Sequence, residues 1–220
     1  MSGRNPVERI EAEHESVSEE VAGHEPSSHD ALKHDLAVLE AIASGLPAYL
    51  ASDVTWWDMG RSGMPLLTIG GYLMRRRRLA ALSHLLLASE IESMAAINTA
   101  FDHVVTNEVV RFEDRAQAEV GSRLREWTVY LRDLSVSHRL AADTARYGFL
   151  ADTRVVIGEL VAKLGERPFH LPDHVAADVT KLDKRLKARW TPGAFIWAPI
   201  WTPAYPPATF WWLYGHPKVD

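Results

Sequence analysis

A chain of 220 residues with 47% apolar content is long enough to bury the core of one ordinary domain without covalent staples. It contains no cysteine, which excludes disulfides, thiolate metal sites, iron–sulfur clusters and a cysteine nucleophile, and which fits a cytoplasmic location. The net charge of −5 is lopsided: residues 1–30 hold two arginines against eight acids, net −6, leaving +1 on the other 190 residues, so no basic face offers itself to nucleic acid.

The first 25 residues read as an acidic arm, with no apolar segment of the kind a secretory signal needs. Asn5, Pro6 and Glu8 have the spacing of a helix cap and first turn, and Gly23 makes a stop, which predicts a helix over 6–22. Its apolar residues, Val7, Ile10, Val17 and Val21, form a narrow seam of two heptads. That is too short to stand alone, so the arm is either frayed or docked on the bundle or a second copy. Glu11 and His14 make the chain's one Glu-x-x-His, on a segment too polar to argue for a metal.

Residues 26–190 read as an all-α helical bundle of about five helices with long central ones. Pro26 marks a hinge, Ser27 and Asp30 a capping box, and Leu32, Leu36, Leu39 and Ile42 a buried stripe that Gly45 and Pro47 are expected to end. The 46–64 segment holds Tyr49, Leu50, Trp56, Trp57 and Met59, too apolar for a solvated connection, so a structured loop is expected there. Gly60 and Gly63 precede a helix expected to start at Pro65. They suit a tight turn better than a phosphate cradle, since neither the P-loop nor the dinucleotide glycine pattern occurs.

Three helices are predicted over 65–88, 90–134 and 137–164. The stripe Ile91, Met94, Asn98, Phe101, Val105, Val109, Phe112, Ala116, Val120, Leu124, Trp127, Leu131, Leu134, His138 steps by three and four. Straight, the middle helix would exceed ~60 Å, more than the ~45 Å of a compact domain this size, and Gly121 is the expected place of a kink or break. Arg75, Arg76, Arg77 and Arg78 sweep ~300° of the first of these helices, so at least one points toward protein. Either they meet carboxylates of neighbouring helices, or they form an anion site, or they receive the acidic arm. Arginine outnumbers lysine 18 to 6, in keeping with planar pairing to carboxylates or to an anionic ligand.

Asn98, Asp102 and His138, with His84 on the preceding helix, are polar positions on or beside the stripe that a folded-back bundle would bring into one pocket. The alternative is that each is satisfied separately by its neighbours. His170 and His174 are four apart, but Pro172 between them prevents a helical ligand pair. Without His-Glu-x-x-His, Gly-x-Ser-x-Gly or paired Glu-x-x-His, the sequence proposes no catalytic residue, metal or cofactor.

Residues 191–220 carry an aromatic-x-Pro-x repeat at Trp197, Trp201 and Tyr205, followed by Phe210, Trp211, Trp212 and Tyr214. Proline at this density rules out a membrane helix and predicts an extended strap, in polyproline form placing successive rings ~12 Å apart over neighbouring helix grooves. The strap packs on its own bundle or on a second subunit. Three readings follow. The first is a non-catalytic assembly or interaction protein, a homodimer in its simplest form. The second is a bundle that binds, or acts on, a small anion through Arg75–Arg78 and the 46–64 loop; the third is a peripheral membrane protein anchored by the tail tryptophans.

Overall fold

The computed structural model of the chain describes residues 28–61, 63–134 and 140–218. The acidic arm, with the helix expected over 6–22, and His138 lie outside the described residues. The rest is a mainly α-helical bundle with a C-terminal strap and a short two-stranded sheet. The helices are α1 (Ser28–Ala51), α2 (Ile69–Ala81), α3 (Ala88–Asn107), α4 (Val109–Asp133), α5 (Leu140–Leu164) and α6 (Asp173–Lys187), with 3-10 turns at Ser83–Leu85, Pro199–Ala204 and Trp211–Leu213. None of the described helices is long and apolar enough to cross a membrane.

Helix α1 does not end at Gly45 and Pro47 but runs through them to Ala51. An internal proline costs about 3 kcal/mol, yet Tyr49 and Leu50 beyond it are buried and hold the last turn in the core. Gly45 is there for closeness: a Cβ would come within 2.9 Å of the Leu67 side chain.

Helix α2 starts four residues later than Pro65 implies. Leu67 is extended and pairs with Trp57 in an antiparallel bridge, and Thr68 is the cap, its hydroxyl accepting from Gly71 N–H at 2.9 Å. A Cβ at Gly70 would lie 2.1 Å from Val156 and 2.8 Å from Glu119, so the glycine lets α2 press against α4 and α5.

The helix is unbroken at Gly121, which lies well inside α4. The break falls at Glu108, which leaves the helical region (φ −121°, ψ 39°) between α3 and α4. Around it stand Val104, Val105, Thr106, Val109 and Val110, β-branched residues of weak helix propensity, with Asn107 among them. The stripe keeps its phase because both helices cover the same core. Phe101 of α3 meets Phe112 of α4 edge-on at 6.2 Å, and Ala116, Val120, Leu124, Trp127, Leu131 and Leu134 are all buried.

The strap packs in cis and shares one apolar cluster with the helices. Its path differs from a polyproline run: β1 (Trp190–Phe195) pairs antiparallel with β2 (Tyr214–Pro217), and the intervening residues double back through the two 3-10 turns. Gly215 (φ +134°) sits opposite Pro192, where a side chain would strike the Thr191 carbonyl at 2.1 Å. Trp201, Tyr205, Phe210, Trp212 and Leu213 are buried.

Candidate functional site

Helix α2 places its four arginines in four different settings. Arg76, on the outer side, makes a two-point contact with Asp102 of α3 at 2.9 and 3.2 Å. Arg77 binds Glu159 of α5 and lies 5.1 Å from the centre of the Phe210 ring. Arg75 points inward to Asp35 of α1 at 3.3 Å and donates to the Gly71 carbonyl.

Arg78 is the centre of the cluster. Its Nε donates to the Tyr205 hydroxyl at 2.9 Å, and its other nitrogens reach Asp35 at 3.7 Å and Asp152 at 4.0 Å. Three strap rings surround its guanidinium, Trp201 at 4.8 Å, Trp197 at 5.1 Å and Tyr205 at 5.7 Å. The aromatic-x-Pro-x repeat therefore converges on one cation instead of spreading its rings over successive grooves. The 3-10 turn at Pro199–Ala204 shortens the spacing that polyproline geometry would impose.

The same device recurs along the strap. Arg154 of α5 holds Asp183 through two contacts of 2.7 Å and lies 4.0 Å under the Trp212 ring, and Lys187 sits 5.6 Å from the Trp211 ring. Trp197 Nε1 donates to the Gly148 carbonyl, and the Tyr147 hydroxyl donates to that of Trp212. Arg77, Arg78, Arg123 and Arg154 thus each pair with a carboxylate while lying over a ring, a combination that suits the planar guanidinium.

Burial pushes the Asp35 carboxyl above its ordinary range, against the pull of Arg78 and Arg75, and raises Glu159 against Arg77. Burial also drives Tyr205 up to about 12, with Arg78 opposing.

The polar stripe residues resolve into separate pairs. Asn98 accepts from the Tyr72 hydroxyl at 2.8 Å and Asp102 holds Arg76, so both face α2. His84 lies on the Ser83–Leu85 turn instead of within a helix. The 46–64 loop goes to α4 and not to the arginine run: Trp56 covers the Arg123 guanidinium at 4.7 Å. Gly60 and Gly63 are turn glycines at φ +64° and +76°.

Sequence reasoning missed Glu119. It is fully buried, accepts from Gly70 N–H at 3.0 Å and from Arg123 at 2.8 Å, and so fills the anion position at the start of α2 with the chain's own carboxylate. Its signal was a single acid, four residues before Arg123, on the apolar face of α4. Among the described residues, no group of three or more histidines, aspartates or glutamates is placed to hold a metal.

Two openings border this framework. One is a recess of about 420 Å³ between Trp197, Trp201, Ile196, Arg78 and Asp152, with Phe149 beside it. The other is a groove of about 870 Å³ between α2, α3, α5 and the strap. Comparison with protein-family models, with curated proteins and with solved structures finds no match to this chain.

Proposed function

We propose that this chain is a non-catalytic assembly protein that acts by self-association, a homodimer in its simplest form, through the surface around Phe149. The observation that carries this reading is Phe149 itself, 83% exposed on α5 beside residues that are buried, Tyr147 and Ala151. A phenyl group left in water forgoes about 1.5–3 kcal/mol of burial. The recess next to it is walled by Trp197, Trp201 and Ile196. A ring standing beside an apolar hollow is self-complementary under a two-fold axis, because each copy's Phe149 then enters the other's recess. Arg78 and Asp152 at the hollow supply charges of both signs, which the same axis sets opposite one another.

The anion-binding reading at Arg75–Arg78 has less support, since each guanidinium is already engaged by a carboxylate, a ring or both. The membrane-anchor reading has less support, since Trp201 and Trp212 are buried in cis and Trp197 and Trp211 are partly buried. The absence of cysteine and the near-neutral bundle support a cytoplasmic protein without a nucleic-acid partner.

Sedimentation velocity across a wide concentration range tests the reading. A reversible dimer is expected, with Phe149→Asp monomeric at unchanged melting temperature because the residue carries no fold contact of weight. A wild-type chain that stays monomeric throughout overturns self-association. A dimer indifferent to Phe149→Asp retains self-association and overturns this surface.

A further inference from the structure

The groove of about 870 Å³ lies toward the other end of α5 from the Phe149 recess, and its chemistry is different. Asp152 and Lys163, one at each opening, are eleven residues apart, roughly 16 Å along the helix axis. The floor is apolar, made by Leu73, Val105 and Phe169, with Pro203 and Pro206 of the strap as one lip.

Four cations line it, and three are matched one to one: Arg76 with Asp102, Arg77 with Glu159, and Lys163 with Glu166. Arg167 is the fourth. It is exposed at the mouth and makes no ion pair among the described residues. Four cations against three carboxylates leave the groove at +1 on a chain whose net charge is −5. The turn that carries Arg167 is closed by Phe169 N–H donating to the Glu166 carbonyl at 2.9 Å, which holds its backbone beside the apolar floor.

We infer that this groove binds an amphiphilic organic anion, an acyl or aryl body on the apolar floor with a carboxylate or phosphate head held by Arg167. The planar fork of the guanidinium matches either head through paired hydrogen bonds. The volume lies in the range usual for small-molecule sites. A cation would meet the surplus positive charge, and a neutral apolar molecule would leave Arg167 unused. The inference does not depend on self-association, since no groove residue belongs to the Phe149 recess.

Isothermal titration of the full chain with four probes tests it: decanoate, decyl phosphate, decanol and inorganic phosphate, each below its aggregation threshold. One site per chain is expected for decanoate, decyl phosphate or both, and whichever binds assigns the head group. Decanol, with body but no charge, and inorganic phosphate, with charge but no body, should each bind at least about tenfold more weakly. Arg167→Gln should weaken the charged amphiphile by about tenfold or more, the scale of one charge-assisted hydrogen bond, at unchanged melting temperature. Ala162→Trp, which fills the groove from an exposed position, should abolish binding. Decanol binding as tightly as decanoate, equal affinity in Arg167→Gln, or no saturable binding by either charged amphiphile would overturn the inference.

Discussion

Replacing the four arginines of α2 one at a time by alanine should give a graded series set by burial, with Arg78 at the top. The Arg78 side chain is 11% exposed and that of its partner Asp35 6%. Truncation strips Asp35 of one of two cations, removes the donor to Tyr205 and leaves three rings around a void. Removing one member of a buried ion pair costs about 3–5 kcal/mol. Arg76 and Asp102 are 37% and 47% exposed, a setting in which a pair contributes about 0.2–1 kcal/mol. Arg75→Ala leaves Arg78 still on Asp35, and Arg77→Ala unpairs Glu159 at a half-open position, so both belong near about 1–3 kcal/mol. Urea unfolding followed by tryptophan emission reads the difference. With a slope near 3 kcal/mol/M, Arg78→Ala should lower the midpoint by about 1–1.7 M, and Arg76→Ala by less than about 0.4 M. Equal midpoints for these two variants would refute the convergence of the strap on Arg78.

Gly70 and Gly121, both inside helices, should respond with opposite signs. Gly70→Ala forces a methyl into Val156 and Glu119 and should destabilise by about 1–3 kcal/mol or more, whereas Gly121→Ala meets only the end of Arg125 and should stabilise by about 0.5–1 kcal/mol in thermal melts. Deleting residues 191–220 removes five large buried side chains, Trp201, Tyr205, Phe210, Trp212 and Leu213, each contributing about 1.5–3 kcal/mol; since whole domains are stable by only about 5–15 kcal/mol, the truncated chain should aggregate, and a soluble product with an unchanged melt would count against the strap. Tyr205 ionises near 12 in the fold against the usual 10, so its contribution is complete below pH 10 and is lost as pH climbs toward 12. Tyr49, Tyr72 and Tyr147 shift in the same direction. Tyrosinate absorbance should therefore rise in one step together with loss of helix, while a gradual rise at constant helicity would contradict the burial of these rings.

The bundle was legible because one physical signal, an apolar stripe at helical spacing, survives wherever a helix covers a core. From Phe101 to Leu134 almost every stripe position is buried. The errors fall where tertiary contacts overrule local rules. Pro47 reads as a stop, but Tyr49 and Leu50 bind the helix past it. Pro65 reads as a start, but Leu67 is drawn into a bridge with Trp57 and leaves Thr68 to cap. The bend at Glu108 has a signal in the β-branched residues on either side, which is weaker than that of a glycine such as Gly121. Four consecutive arginines on one helix cannot all face water, but which ring or carboxylate each side chain meets depends on pairings up to 127 residues apart, as between Arg78 and Tyr205. No local pattern encodes such a distance.

Self-association through Phe149 is tested most directly by amide hydrogen exchange at low and at high protein concentration. Protection of residues 148–152 and 196–201 should increase with concentration, while the core of α4 stays unchanged, because only the recess and the helix face beside it become covered. Concentration-independent exchange in both segments, with protection arising elsewhere or nowhere, would contradict it.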